Sequence, residues 1–118
     1  MTDITRIETN ARMSRVVISN GTVYIGGLTA GDSSQDIEGQ TAQVLEKIES
    51  YLAQAGSDKS NMLSAQIWLK DIERDFAGMN KVWDRWLPEG TAPVRATGES
   101  KLAKDDLLVE IIVIARVK

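Results

Sequence analysis

Two charged residues stand in stretches that otherwise read as strand, and any chemistry of this chain should centre on them. Arg95 follows Thr91-Ala92-Pro93-Val94, in a loop that leaves a helical segment. Its planar fork of donors suits two-point capture of a carboxylate or phosphate. It is equally a surface arginine or a partner for Glu99 or Glu110, and on residue pattern alone that plainer reading is favoured. Glu110 interrupts the apolar run Leu107-Leu108-Val109-Glu110-Ile111-Ile112-Val113-Ile114 and shares a strand face with Leu108, Ile112 and Ile114. A carboxylate partly buried there needs a cation, hydrogen-bond donors or a proton. An edge or interface position with an ion-pair partner would meet that need without any catalytic role. Asn80 falls on the inward stripe of a helix with Phe76 and Trp83, where an amide needs a partner; tying down a loop is the plainer role for it. Trp83 and Trp86, three apart, read as core rather than as a ligand cage. The pair Gly26-Gly27 lacks the spacing of a phosphate loop, and marks a bulge or a close approach to the backbone.

The residue types that are missing narrow the chemistry further. With no Cys and no His there is no thiol nucleophile, no imidazole base and no Cys/His metal site. An all-carboxylate Mg or Ca site remains open, but no calcium-loop spacing is present; we expect neither metal nor cofactor. The net charge of −3 and the lack of a basic cluster count against a nucleic-acid partner. No apolar run approaches the roughly 20 residues of a membrane-spanning helix, and residues 1–6 lack the layout of a secretory signal. A cytoplasmic location is expected. At 118 residues, the chain has the size of one domain spanning 1–118.

The elements that must hold these residues follow from periodicity. Arg15–Ser19 and Thr22–Ile25 flank Asn20-Gly21, the signature of a hairpin whose turn residues both need positive φ. Ile37, Thr41, Val44, Leu45, Ile48, Tyr51, Leu52 and Ala55 form a helical stripe, with Gly56 at the stop. Leu63, Ala65, Ile67 and Leu69 alternate as one face of a strand. A second helix runs from about Glu73 to Leu87 with Phe76, Met79, Val82, Trp83, Trp86 and Leu87 inward, ended by Pro88 and Gly90. Val94–Leu102 reads as extended, and Leu107–Val117 as a strand covered on both faces. The order is hairpin, helix, strand, helix, strand, strand. It predicts an α+β domain with two helices on one face of a mixed sheet. The second face of the last strand still needs cover, which a closed oligomer of this chain would supply.

Three stretches together resemble one family. They are Gly56-Ser57 with Ile67-Trp68-Leu69-Lys70-Asp71-Ile72 and Phe76-Ala77-Gly78-Met79-Asn80-Lys81-Val82-Trp83; the tract from Pro88 to Leu102; and Leu108-Val109-Glu110-Ile111. Their order and spacing are similar to those of the reactive-imine deaminase (Rid, or YjgF/YER057c/UK114) family over essentially the whole chain. The resemblance implies a chorismate-mutase-like fold, a closed homotrimer and three sites in the clefts between subunits. It also implies hydrolysis of 2-imino acids such as 2-iminopropanoate and 2-iminobutanoate, which arise from enamines including 2-aminoacrylate, to 2-oxo acids and ammonia. By position, Arg95 matches the carboxylate-binding arginine and Glu110 the glutamate thought to orient water. Gly27 and Asn80 match positions lining the pocket, and Thr97 falls where many members have cysteine. Two departures make the pocket less polar on one side. Met13 aligns with a tyrosine of many members, and Gly26-Gly27-Leu28 stands where they have Ser-Gly-Gln. A trimeric ligand-binding or regulatory protein without turnover is the alternative reading. An RNA-cleaving or translation-inhibiting role is a third, against which the acidic balance weighs.

Overall fold

The computed structural model describes residues 3–118. Its strands are β1 (Thr5–Thr9), β2 (Ser14–Ser19), β3 (Thr22–Leu28), β4 (Met62–Leu69), β5 (Val94–Glu99) and β6 (Val109–Arg116). The helices are α1 (Ile37–Gln54) and α2 (Ile72–Trp86), with a short 3-10 turn at Lys59–Asn61. The strands form one mixed six-stranded sheet in the order β1-β2-β3-β6-β4-β5, antiparallel except for the β4-β5 pair. Both helices cover the same face, as the periodicity predicts. β5 lies at one edge, parallel to β4, because α2 carries the chain back between them.

Local chemistry accounts for most of the boundaries. Asn20 and Gly21 take φ of 52° and 74°, the left-handed pair that a two-residue hairpin turn requires. Asp36 caps α1 by accepting from the Gly39 amide at 2.9 Å, and Asp71 caps α2 by accepting from the Arg74 amide at 3.1 Å. Glu99 of β5 adds its carboxylate to the start of α2, accepting from the Ile72 amide at 3.1 Å. That bond ties the edge strand to the helix beside it.

The core lies between sheet and helices. Val16, Val23, Ile25, Ala65, Ile67, Leu69, Val109, Ile111 and Val113 pack from the strands against Val44, Leu45, Ile48, Leu52, Met79 and Trp83 from the helices. Burial along β6 alternates strictly: Val109, Ile111, Val113 and Ala115 are covered, whereas Glu110, Ile112 and Ile114 are half-exposed. The helices therefore cover one face of the last strand, and the other is open within a single chain.

Three particulars differ from expectation. β1 is an added strand, antiparallel to β2. Leu63 is 47% exposed and Met62 is buried in its place, because the β4-β6 register shifts between Met62 and Ser64. Phe76 is 42% exposed, and the buried stripe of α2 runs through Asp75, Met79 and Trp83. The cause is the close packing of the two helices, where a Cβ on Gly78 would meet Ile37 Cγ2 at 2.8 Å. That approach turns the Asp75 side of α2 inward and Phe76 out. The carboxylate of Asp75 is held by the Arg74 fork at 2.8 and 3.0 Å.

Gln40 is fully buried, and its amide fastens the long connections to the domain. Nε2 donates to the carbonyls of Ser33, Gln35 and Asp106, and Oε1 accepts from the Leu108 amide, at distances of 2.9–3.1 Å. Gln40→Leu keeps the approximate volume and leaves those backbone groups without partners. Since an orphaned buried polar group costs about 1–3 kcal/mol, urea denaturation should show a loss of roughly 2–4 kcal/mol. A loss below about 0.5 kcal/mol would mean that water replaces the amide.

Candidate functional site

Arg95 sits on the edge strand abreast of Ala65, so its side chain projects to the helix-covered side. There the Nη1 group donates to Asn80 Oδ1 of α2 at 2.8 Å. The guanidinium carbon lies 5.6 Å from the centre of the Trp83 ring, within cation-π range. One edge of the fork is thus hydrogen-bonded, and its charge lies over an aromatic ring. Among the described residues no carboxylate comes within 4.0 Å of Arg95. The partners that sequence suggested lie elsewhere: Glu99 caps α2, and Glu110 points to the opposite side of the sheet.

The surroundings keep this fork in place. Pro88 accepts from the Thr91 hydroxyl at 2.7 Å, which fixes the loop entering β5, and Gly90 takes φ of 79° in its turn. Trp83 is nearly buried and packs on Trp86 with ring centres 5.7 Å apart. Trp86 in turn donates its indole N–H to Glu49 of α1, and Lys59 lies over the Trp86 ring while pairing with Glu49 at 3.2 Å. An open cleft of about 430 Å³ adjoins Arg95, walled by Asn80, Trp83, Asp84, Leu87 and Pro93.

Thr97 shares the Arg95 face one pleat further along β5, abreast of Ile67, and does not line the cleft. Its hydroxyl oxygen is buried without a hydrogen-bond partner. Such a group calls for a polar ligand or a water molecule.

Glu110 and Gly27 do come together, on the open side of the sheet. Between Ile25 and Leu28 the β3-β6 register slips, so that Gly26-Gly27 form a bulge against β6. A Cβ on Gly27 would fall 2.9 Å from Glu110 Cδ. The glycine therefore makes room for the carboxylate, which rests on the bare backbone. Met13 reaches the same bulge, its Cε being 3.8 Å from the Cβ position of Gly26. Beside Glu110 stands Trp68, 36% exposed, with its ring against Gly98 of β5.

The candidate residues thus fall into two groups, Arg95 with Asn80 on the helix side and Glu110 with Gly27 on the open side. Sequence reasoning missed two aromatic walls. Trp68 could have been found from the alternation of β4, which puts it opposite Ala65, Ile67 and Leu69. Trp83 is core, as its spacing indicates, and also the platform of Arg95, for which the sequence carries no signal. No helix is long and apolar enough to cross a membrane, and no cluster of potential metal ligands occurs among the described residues.

Known proteins share this arrangement of elements. A family model described as endoribonuclease L-PSP matches residues 3–117. The chain belongs to the Rid (YjgF/YER057c/UK114) family. The RutC family protein YoaB of Escherichia coli K12 is 44% identical over 114 residues, covering 97% of this chain and 98% of that protein. A RutC family protein of Haemophilus ducreyi is 41% identical over 97% of each. Among solved structures, NMB1025 of Neisseria meningitidis, a member of the YjgF protein family, superposes with a TM-score of 0.95 at 39% identity, covering 98% of this chain and 96% of that one. A Pseudomonas aeruginosa protein gives the same TM-score at 44% identity, over 98% and 100%.

Proposed function

We propose that this Rid-family chain hydrolyses small 2-imino acids to 2-oxo acids and ammonia, at sites completed by a second copy of the chain. The observation that carries this reading is the Arg95 fork. It is held by Asn80 and Trp83, lacks a carboxylate partner among the described residues and opens on a cleft. A small anion with a planar carboxylate matches the remaining edge of that fork. An imine beside a carboxylate is already electrophilic, so positioning of substrate and water supplies much of the rate.

In this reading the substrate carboxylate sits on Arg95, and the partner subunit's Glu110 addresses water over its Gly27 bulge. The water oxygen bonds to C2 as its proton passes by way of Glu110 to the imine nitrogen, giving a carbinolamine. Glu110 then takes the hydroxyl proton and delivers it to that nitrogen as the C–N bond breaks, so the C2 carbonyl forms and ammonia leaves. No metal or cofactor takes part.

Because Arg95 and Glu110 lie on opposite sides of the sheet in one chain, this mechanism requires assembly. The open face presents Val17, Tyr24, Trp68, Val94, Ile112 and Ile114, apolar or aromatic residues that a closed homotrimer would cover. Sedimentation equilibrium at micromolar concentration should give a trimer; a stable monomer would leave the two half-sites apart and sink the mechanism.

Release of ammonia and 2-oxo acid from freshly generated 2-aminoacrylate tests the activity directly. Tight binding of 2-oxobutanoate with no release above the spontaneous rate would favour a ligand-binding role. The bulge Gly26-Gly27-Leu28, poor in side-chain donors, is the feature that would explain it. Cleavage of RNA under the same conditions would favour the activity in the description of the family model, against which the charge of −3 weighs.

A further inference from the structure

A second polar cavity of about 290 Å³ lies where β1, β2 and the end of β3 meet the flank of α1. Across the sheet order it is at the β1 end, whereas Arg95 is on β5 at the other edge. Glu8, Arg15, Thr29, Lys47, Ser50 and Tyr51 contribute to its wall. None of the three charged residues has an ion-pair partner within 4.0 Å among the described residues. Lys47 donates to the Thr29 carbonyl at 2.7 Å, which fixes its head and leaves it two further protons to offer.

The backbone at Glu8 is the second observation. Its φ is +52°, a left-handed conformation in the middle of a strand, which a glutamate adopts only at a cost. The flanking pairs Ile7–Val16 and Thr9–Ser14 keep one register, and the ladder between β1 and β2 is interrupted only at Glu8. What the conformation accompanies is a contact: Glu8 Oε1 accepts from the Tyr51 hydroxyl at 3.0 Å. Tyr51 is surrounded by opposed charges, its pKa pushed up by burial and by Glu8 and drawn down by Arg15. Arg15 lines the same cavity wall. Strained backbone of this kind persists where its surroundings hold it, and here it sets a carboxylate on the same cavity wall as two cations.

We infer that this cavity binds a free α-amino acid, its carboxylate received by Arg15 and Lys47 and its ammonium by Glu8. The wall offers a partner of opposite charge to each end of a zwitterion, and Ser50, Tyr51 and the Thr29 backbone supply neutral polar contacts. A 2-oxo acid lacks the ammonium and leaves Glu8 unpaired, so the cavity discriminates against the ligands that suit Arg95. The inference does not rest on imine hydrolysis.

Calorimetric titration of the intact protein with L-alanine should show one binding event per chain. Pyruvate and L-alaninamide, each lacking one of the two charges, should fail to displace it. Glu8→Gln keeps an acceptor for the Tyr51 hydroxyl and removes the charge, while Arg15→Gln removes the fork. Each should weaken L-alanine binding at least ~10-fold, the loss of one charge-assisted hydrogen bond, without lowering the melting temperature by more than a few degrees. Arg95→Lys should leave the binding unchanged. Amide resonances of Glu8, Thr29 and Tyr51 should shift on titration while those of β5 stay fixed. No heat and no shifts with L-alanine at millimolar concentration would overturn the inference. So would binding that survives both cavity variants, or binding lost only with Arg95→Lys. Imine hydrolysis, assayed separately, can fail without touching any of these outcomes.

Discussion

Glu110→Gln is expected to slow 2-iminopropanoate hydrolysis by about 10²–10⁴-fold, the usual worth of general acid-base assistance, while leaving assembly intact. The amide has nearly the same shape, so it can still rest on the Gly27 backbone, but it cannot take a proton from water. A stability change should be small, because no side chain forms an ion pair with Glu110 among the described residues. Gly27→Ala acts on the same atoms from the other side. Its Cβ would stand 2.9 Å from Glu110 Cδ, closer than real contacts allow, so the carboxylate must swing away. That variant should lose activity comparably while Glu110 itself is intact. Steady-state assays at saturating substrate read both. Unchanged turnover in Glu110→Gln would make the carboxylate structural. Loss of the trimer would show instead that its charge belongs to an interface network. If Glu110→Gln is slow but Gly27→Ala is fully active, the carboxylate works from a position other than the bulge.

Most of the framework was legible because periodicity and turn chemistry act locally. Asn20-Gly21 and the stripe from Ile37 to Leu52 name a hairpin and a helix without reference to anything distant, and both are present. The misses share a different cause, since each depends on how two elements meet. Phe76 sits on the apolar side of its helix by spacing, yet the close approach of Gly78 to Ile37 rotates it outward. Leu63 alternates correctly with Ala65, yet a register slip against β6 puts Met62 inside instead. Gln40 reads as a polar helix residue, and only the arrival of the Asp106–Leu108 segment, 66–68 positions away, makes it buried and satisfied. β1 escaped notice because Thr5–Thr9 is mostly exposed and carries no apolar alternation beyond Ile7. For the site, residue types and family resemblance pointed to Arg95, Asn80, Gly27 and Glu110. What no local pattern could reveal is that the registers of β5 and β6 on β4 send Arg95 and Glu110 to opposite sides of the sheet. Asn80 shows the same limit. Sequence could say that its amide needed a partner, and the partner is Arg95 itself.

Arg95→Lys should lower kcat/KM for 2-iminobutanoate by roughly 10–100-fold, the equivalent of one charge-assisted hydrogen bond, about 1.5–3 kcal/mol. Lysine keeps the positive charge and removes the geometry. It cannot bond Asn80 and grip a carboxylate at two points together, and it does not reproduce the guanidinium held 5.6 Å from the Trp83 ring centre. Arg95→Ala should cost more, on the order of 100-fold or beyond, because nothing then offsets desolvating the substrate's carboxylate. Neither change should harm folding, since Arg95 is exposed and makes no ion pair among the described residues. The loss should appear in binding as well as turnover. Titration with 2-oxobutanoate, which carries the carboxylate without the imine, should weaken in both variants and in the same order. Asn80→Leu separates holding from charge: it leaves the guanidinium in place, frees the edge now bonded at 2.8 Å, and should give a smaller loss of about tenfold or less. If wild type, Arg95→Lys and Arg95→Ala all bind 2-oxobutanoate equally and turn over equally, the fork is an ordinary surface group. The carboxylate must then be recognised elsewhere, with the unpartnered hydroxyl of Thr97 the next atom on that face to test.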